Sequence, residues 1–254
     1  MKLLNFTEYT YSHLNEGGIA KHWPDDEKKE FAKLQRECLI ETLNGLKKHK
    51  VRTFCDGGTL LGLYRDKKFL EGDSDHDVGV LAEDMKPGFV AEFENQLNIM
   101  PNMHGMFFKP KDWLTMMEAN DETKYVNAKS LKFLAKESNG NVKTYKGKPI
   151  MCDIIMHYPH KKDRLHLYVS DYFRTKNEYV SGPIRYRTNE GYEFPMPPNV
   201  EGHLSTLYGK GWSTPDPKFP GNYNGIKCYG GPLKTKDMGG RYKYNYKTKD
   251  YIVK

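Results

Sequence analysis

Long apolar runs are missing from the sequence. Hydrophobic residues make up 37% of the 254 residues, and no segment approaches the roughly 18 consecutive apolar residues that a membrane-spanning helix needs. The first residues also lack the apolar core of a signal peptide. We therefore expect no membrane span and a cytoplasmic location.

Cysteine is scarce, and the residues present form no C-x-x-C pair. The four cysteines are Cys38, Cys55, Cys152 and Cys228. Cysteines this far apart in a cytosolic chain are expected to be buried, reduced thiols. A zinc site built from Cys152, His157 and His160 is the alternative, but this spacing matches no standard closed site, so we do not expect one.

Acidic residues are outnumbered by basic ones, and the imbalance is local. The formal net charge is +7, and residues 201–254 alone contain ten Lys and Arg against four Asp and Glu, a surplus of six. A basic surface favours anionic partners, including nucleotides, acidic glycans and nucleic acid. A solvated tail without a partner is the alternative.

Tyrosines alternate with lysines in the same tail and could stack on bases or sugars. They are Tyr229, Tyr242, Tyr244, Tyr246 and Tyr251. This pattern supports the hypothesis of a non-catalytic binder of nucleic acid or glycan. No recognised nucleic-acid module accompanies the tyrosines, so we do not expect a nucleic-acid partner.

The length fits one large domain with additions at its ends. Residues 1–24 show no clear period and are expected to form an irregular lead-in, residues 25–220 one domain, and residues 221–254 a basic tail rich in Tyr and Gly. Apolar spacing of three and four predicts a helix over residues 25–50. Further helices are predicted at 59–65, 89–97 and 200–208, and strands at 51–55, 75–81, 148–158 and 165–173.

Three aspartates stand at alternate positions where the second strand begins. They are Asp73, Asp75 and Asp77. Side chains at i and i+2 of a strand point to the same face, and carboxylates this close repel one another unless a cation lies among them. Mg²⁺ is the expected ion, because it prefers oxygen ligands and is usually shared with substrate phosphates.

A glycine-rich turn precedes the aspartates. Asp56, Gly57, Gly58 and Thr59 follow the strand predicted at 51–55, and the helix that begins there would present free backbone N–H groups to an anion. A phosphate-binding turn that faces a group of carboxylates is typical of phosphoryl or nucleotidyl transfer. The residues of this region do not separate the two reactions, because both break a phosphate bond at a metal site.

These residues resemble the first motif of the LicD and fukutin-related family, which is Asp-Gly-Gly-Thr-Leu-Leu-Gly, an Arg, and then Trp-Asp-x-Asp-x-Asp. The chain matches it over residues 56–62, at Arg65 and at the three aspartates. The closing motif of the family is matched by Phe194-Pro-Met-Pro197, Leu204, Leu207-Tyr-Gly209, Trp212 and Thr214-Pro215. Asp153 resembles the third acidic position of the family, and the resemblance extends from about residue 26 to about residue 220.

Two positions depart from the family pattern. Gly72 stands where the family has Trp, and His76 stands where it has an apolar residue. On a strand, His76 would point away from the carboxylates. We therefore expect it to pack or hydrogen-bond behind them rather than to bind a metal.

The resemblance implies an α+β protein with the nucleotidyltransferase (polymerase-β-like) fold, a mixed sheet flanked by helices, followed here by a basic irregular C-terminal tail. It implies Mg²⁺, with Mn²⁺ as an alternative, held by the catalytic residues Asp75, Asp77 and Asp153. The implied substrate and phosphate contacts are Gly57, Gly58, Thr59, Arg65, Tyr208 and Trp212, while Asp56 and Asp73 would orient the site from behind. The alternatives are a surface role for Arg65 and a purely packing role for Tyr208 and Trp212.

The activity implied by the resemblance is transfer of a phospho-alcohol, such as phosphocholine or ribitol phosphate, from a CDP-linked donor to a hydroxyl of a glycan or polysaccharide. The alternative is a nucleotidyltransferase that moves NMP from an NTP to a small-molecule, glycan or nucleic-acid acceptor. The closing motif favours the first activity, since general nucleotidyltransferases lack it.

Overall fold

The computed structural model describes residues 23–70, 73, 75–84, 99–104, 125–126, 130–135, 137–138, 143–160, 162–168, 171–215, 242–245 and 250–253. The helix predicted at 89–97, most of the lead-in predicted at 1–24 and Cys228 lie outside the described residues.

Fourteen strands and four α-helices are present in the described part of the chain. The strands are β1 (Thr53–Cys55), β2 (His76–Leu81), β3 (Ile99–His104), β4 (Tyr125–Val126), β5 (Ser130–Ala135), β6 (Thr144–Tyr145), β7 (Lys148–Pro149), β8 (Met151–His160), β9 (Asp163–Tyr168), β10 (Asp171–Lys176), β11 (Arg185–Asn189), β12 (Tyr192–Met196), β13 (Tyr242–Asn245) and β14 (Asp250–Val253). The helices are α1 (Asp25–Lys48), α2 (Gly57–Leu61), α3 (Asn177–Val180) and α4 (Val200–Tyr208). A π-helical turn (Gly62–Asp66) continues α2, and a 3₁₀ turn (Ala82–Asp84) follows β2.

A seven-stranded mixed sheet forms the centre of this structure. Its main path has the order β1-β2-β8-β5-β3, with β9 paired to β8 and β10 paired to β9. Strands β2 and β8 are parallel, whereas β1 and β5 run antiparallel to them. The predicted α+β class, with a mixed sheet and flanking helices, is confirmed.

Helix α1 covers one face of the sheet. Its Leu39 and Leu43 belong to the same buried core as Val78 and Val80 of β2 and Ile154 of β8. Full burial of such a side chain contributes about 1.5–3 kcal/mol relative to exposure. Three acidic residues in the first turn and two lysines in the last turn also suit the helix dipole. The helix predicted over residues 25–50 is therefore confirmed, with its end at Lys48.

The opposite face of β2 and β8 carries the polar residues. Because successive side chains of a strand point to opposite faces, Asp77 and Leu81 lie on the side that Val80 does not occupy. A small second core forms on that side from Phe54, Leu81 and Val180. Buried Asp56, which precedes α2, and His157 of β8 meet His203 of α4 in this part of the structure.

The prediction of a single strand over residues 165–173 is wrong in one respect, because two strands, β9 and β10, occupy this segment. Strands β9 and β10 are antiparallel, and Asp171 pairs with Tyr168. The run contains no Gly, Pro or Asn, and its only weak turn residues are Ser170 and Asp171. The sequence therefore gives little sign of the reversal.

The C-terminal tail is not wholly irregular, which corrects that prediction. Strands β13 and β14 pair with each other, and β13 also pairs with β4. The tail alternates tyrosine with lysine at Tyr242, Lys243 and Tyr244, a pattern of aromatic and polar residues that suits a strand. The alternation alone does not distinguish a surface that stacks on bases or sugars from a strand.

Three cysteines, Cys38, Cys55 and Cys152, are free and buried. Burial raises the pKa of the Cys38 thiol to about 12, so this group is uncharged at neutral pH. The prediction of buried, reduced thiols is confirmed for these three residues. Among the residues that the structure describes, no helix has the length and apolar character needed to cross a membrane.

Candidate functional site

Two aspartates lie side by side at the centre of the sheet. The parallel register of β2 and β8 pairs Asp77 with Asp153, so both side chains point to the same face. Burial raises the pKa of Asp77 well above its usual value, and the charges of Asp75, Asp153 and Asp73 raise it further. The structure thus brings the carboxyl groups of Asp77 and Asp153 together, while their role as metal ligands stays a prediction.

The glycine-rich turn meets these carboxylates at Gly58. The Gly58 backbone N–H donates to Asp77 Oδ2 over 3.3 Å. Asp73 Oδ2 lies 2.8 Å from the point where a β-carbon of residue 58 would stand. A side chain here would displace the Asp73 carboxylate, so glycine allows Asp73 and Asp77 to approach the turn together. Gly57 has a φ of 49°, in the left-handed region that favours glycine.

Both glycine amides already have carboxylate partners within the chain. Gly57 N–H donates to Asp56 Oδ1 over 2.8 Å, and Gly58 N–H donates to Asp77. A phosphate would have to replace Asp77 at Gly58 in order to bind there. The phosphate-binding role of Gly57, Gly58 and Thr59 therefore stays a prediction.

Thr59 connects strand β2 to the glycine-rich turn through its side-chain hydroxyl. Its Oγ1 accepts a hydrogen bond from the Asp77 backbone N–H over 2.9 Å and lies 3.2 Å from His76 Nδ1. His76 is buried, and its ring centroid is 4.6 Å from that of Phe69. Burial lowers the pKa of His76 to about 4, so the ring is neutral and Nδ1 can accept the Thr59 proton. The prediction that His76 packs behind the carboxylates is confirmed.

Arg65 connects the two sequence motifs. Its Nε and Nη2 donate to the Asp66 carboxylate over 2.7 and 2.8 Å, and its Nη1 donates to the Trp212 carbonyl over 3.4 Å. The Trp212 and Tyr64 ring centroids are 5.8 Å apart, and Tyr208 packs against the main core. The structure therefore brings Arg65 and Trp212 together, while their contacts with a substrate stay predictions.

A buried cluster of histidines surrounds Asp56, and sequence reasoning missed it. Asp56 Oδ2 lies 2.8 Å from His157 Nε2, and Asp56 Oδ1 lies 2.7 Å from His203 Nε2. His157 Nδ1 in turn lies 3.0 Å from His166 Nδ1, and His203 Nδ1 lies 3.4 Å from Thr175 Oγ1. All five side chains are buried. We call Asp56, His157, His203, His166 and Thr175 the histidine cluster.

The electrostatics of the histidine cluster favour an ionised Asp56. Burial by itself would raise the pKa of Asp56, but the interactions with His203 and His157 outweigh it and hold that pKa well below its usual value. Burial lowers the pKa of His157, although its hydrogen bond to Asp56 acts in the opposite direction. Burial also lowers the pKa of His166 well below its usual value.

The same cluster contains a donor set that a metal could use. Ligand atoms of Asp56, His157 and His203 all lie within 4.8 Å of one another, and two imidazoles with one carboxylate can bind Zn²⁺. This group differs from the set of Cys152, His157 and His160 considered from the sequence. Its members are 101 and 147 residues from Asp56 along the chain, so no local spacing could have revealed it.

The fold and the site define a class of protein: an α+β domain with carboxylates from two adjacent strands gathered beside a glycine-rich turn. Residues 50–199 match the family described as LicD/FKTN/FKRP, nucleotidyltransferase domain. This match spans more than half of the chain, and the protein therefore belongs to the LicD family. The family resemblance inferred from the motifs is confirmed, and membership indicates a transferase with phosphotransferase-like chemistry.

Two other comparisons add little. No curated protein matches the sequence. Among solved structures, the crystal structure of the lincosamide antibiotic adenylyltransferase LnuA with lincomycin bound is similar to this chain, with 12% sequence identity and a TM-score of 0.33. The alignment covers 63% of this chain and 78% of that one. A TM-score below 0.5 supports no conclusion about activity.

Proposed function

We propose that this protein is a Mg²⁺-dependent transferase of the nucleotidyltransferase fold. It moves a phospho-alcohol, such as phosphocholine or ribitol phosphate, from a CDP-linked donor to a glycan or polysaccharide hydroxyl. The observation that carries the proposal is the pairing of Asp77 with Asp153 across β2 and β8 in a LicD-family chain.

The residues present fit a divalent cation. Burial and the charges of four neighbouring aspartates raise the pKa of Asp77, and a cation would relieve the repulsion among these carboxylates. Asp75, Asp77 and Asp153 would supply the carboxylate oxygens that Mg²⁺ prefers, with Mn²⁺ as an alternative. A bound ion would neutralise the charge that develops on the phosphoryl oxygens during the reaction.

Each surrounding residue has a defined task under this proposal. The Gly58 amide holds the Asp77 carboxylate in its orientation through a hydrogen bond, and Asp73 lies beside Gly58 on the same side of the site. Asp153 would accept the proton of the acceptor hydroxyl. Arg65 and Trp212, joined by a hydrogen bond, would contact the donor at the edge of the site.

The test is the identity of the product released. Purified protein with Mg²⁺ and a glycan acceptor, or with water as the acceptor, should release CMP from at least one of CDP-choline, CDP-ribitol and CDP-glycerol, and no pyrophosphate from NTPs. The closing motif, which includes Trp212 and Tyr208, supports CMP as the product because its aromatic side chains would form a wall for the non-nucleotide half of the donor. Pyrophosphate from an NTP, with no CMP from any CDP-alcohol, would replace the proposal with nucleotidyl transfer.

A further inference from the structure

The histidine cluster joins three separate parts of the fold at one carboxylate. Asp56 lies between β1 and α2, His157 lies on β8, and His203 lies on α4. Each Asp56 oxygen has its own imidazole partner, at 2.7 and 2.8 Å. Asp56 belongs to the first sequence motif and His203 to the segment of the second, so this contact links the two motifs.

Hydrogen-bond chemistry fixes the protons of the cluster. An ionised carboxylate can only accept, so His157 and His203 must each present an N–H at Nε2 to Asp56. His157 Nδ1 is then an acceptor, and His166 must carry its proton on Nδ1 to donate across the 3.0 Å contact. His203 Nδ1 can accept from Thr175 Oγ1. One N–H at Nε2 of His157, one at Nε2 of His203 and one at Nδ1 of His166 therefore satisfy these contacts.

The distances favour hydrogen bonds over a metal centre. Ligands around a tetrahedral zinc ion, with bonds of about 2.0–2.1 Å, stand roughly 3.3 Å apart. The imidazole and carboxylate atoms of the cluster are only 2.7 and 2.8 Å apart, which is the length of a charge-assisted hydrogen bond. With Gly57 N–H as a third donor, Asp56 is stabilised as an anion without a cation between its partners.

Backbone hydrogen bonds connect Asp56 to Asp77, one of the proposed metal ligands. Its N–H donates to the Asp77 carbonyl over 3.0 Å, and its carbonyl accepts from the Leu60 N–H over 2.9 Å. The Gly58 amide, two residues after Asp56, donates to Asp77 Oδ2. The orientation of Asp56 therefore sets both the start of α2 and the donor that holds the Asp77 carboxylate.

We propose that His157 and His203 are positioning residues, which hold Asp56 and, through the turn it begins, fix the Asp77 carboxylate for the reaction. The inference deepens the proposed function and rests on it for its kinetic consequences only. No contact between these histidines and a substrate is required.

Two amide variants of His203 separate positioning from simple packing. A Gln side chain can place its amide nitrogen close to the position of Nε2, whereas the shorter Asn reaches only the position of Nδ1. We expect His203→Gln to keep the bond to Asp56 and His203→Asn to lose it. His49→Asn, at the end of α1 and outside the cluster, is the matched control.

Amide hydrogen exchange reports this difference without any substrate. The Leu60 amide, which donates to the Asp56 carbonyl, should lose about 10- to 100-fold protection in His203→Asn, the effect of losing one hydrogen bond to a buried charge. His203→Gln and His49→Asn should stay close to wild type. In turnover assays, His203→Asn should lower kcat by a similar factor with little change in the KM of the donor, and His203→Gln should restore it.

Each outcome decides the inference. Equal exchange and equal kcat in the Asn and Gln variants, or stoichiometric zinc in the purified protein, would overturn it. Should His203→Asn fail to fold, ¹⁵N NMR of the wild-type imidazoles still decides, because the inference requires an N–H at Nε2 of both His157 and His203 and an N–H at Nδ1 of His166. If wild type turns over no CDP-alcohol, the proposed function fails, yet exchange and NMR still test the positioning role.

Discussion

Replacing Gly79 with alanine should damage both the hydrophobic packing and the histidine cluster. A β-carbon at this position of β2 would stand 2.3 Å from Phe54 Cε2 and 2.8 Å from Asp56 Oδ2. Ordinary contact begins at 3.4 Å, so the Phe54 ring would have to retreat by about 1.1 Å. Phe54 and Asp56 are both 0% exposed, which leaves neither of them open space to enter.

The expected cost follows from two separate effects. Overpacking a filled core costs about 1–3 kcal/mol. Loss of one hydrogen bond to the buried Asp56 carboxylate costs a further ~1.5–3 kcal/mol. The free energy of unfolding should therefore fall by about 2.5–6 kcal/mol, and Tm by roughly 5–24 °C for a chain of this size.

Urea denaturation followed by circular dichroism measures this change directly. Gly211→Ala is the matched control, because a β-carbon there meets nothing within 4 Å, and it should stay within about 0.5 kcal/mol of wild type. A Phe54→Leu background tests the mechanism, since a smaller side chain should reduce the cost of Gly79→Ala. Identical urea midpoints for Gly79→Ala and wild type would refute the reasoning.

The remaining predictions concern turnover. Asp75→Asn or Asp77→Asn should abolish CMP release while the fold persists, and full activity in excess EDTA would contradict a metal role. In metal-free protein, Asp77→Asn should also raise the free energy of unfolding at neutral pH. Burial raises the pKa of Asp77, so in the metal-free wild type this group's contribution to stability is lost as pH rises from the unfolded pKa through the folded one. Asp153→Ala should lower kcat by orders of magnitude with a smaller effect on donor affinity, measured by steady-state kinetics and calorimetry; unchanged kcat would remove it from the site. Trp212→Ala should weaken use of the CDP-alcohol much more than binding of CMP alone, and equal losses would show that Trp212 only packs.

Local patterns predicted those parts of the fold that depend on neighbouring residues. Alternation predicted that Asp73, Asp75 and Asp77 share one face of their strand, and the family resemblance pointed to Asp153 on another strand. The register of β2 and β8 brings Asp77 and Asp153 together. Helix α4 was predicted over residues 200–208, which are its observed bounds. Both succeeded because one face of each element is buried, so periodicity reports the burial.

Long-range contacts were beyond the reach of sequence patterns. His157 and His203 meet Asp56 only because β8 and α4 converge on one turn, and each histidine looks ordinary in its own segment. The role of Gly79 is similar, since a glycine within a strand does not reveal that Phe54 and Asp56 close over it. The roles of such residues depend on which distant residues the tertiary structure brings into contact with them.

The positions of α1 and α4 have a consequence for where this domain can be cut. Residues 50–199 carry the family match, yet Leu39 and Leu43 of α1 and Leu204 of α4 lie in the same buried core as that region. A fragment limited to residues 50–199 would expose this apolar surface to water and leave Asp56 Oδ1 without its imidazole donor. The segment that defines the family is thus smaller than the unit that folds, and the two flanking helices belong to the latter.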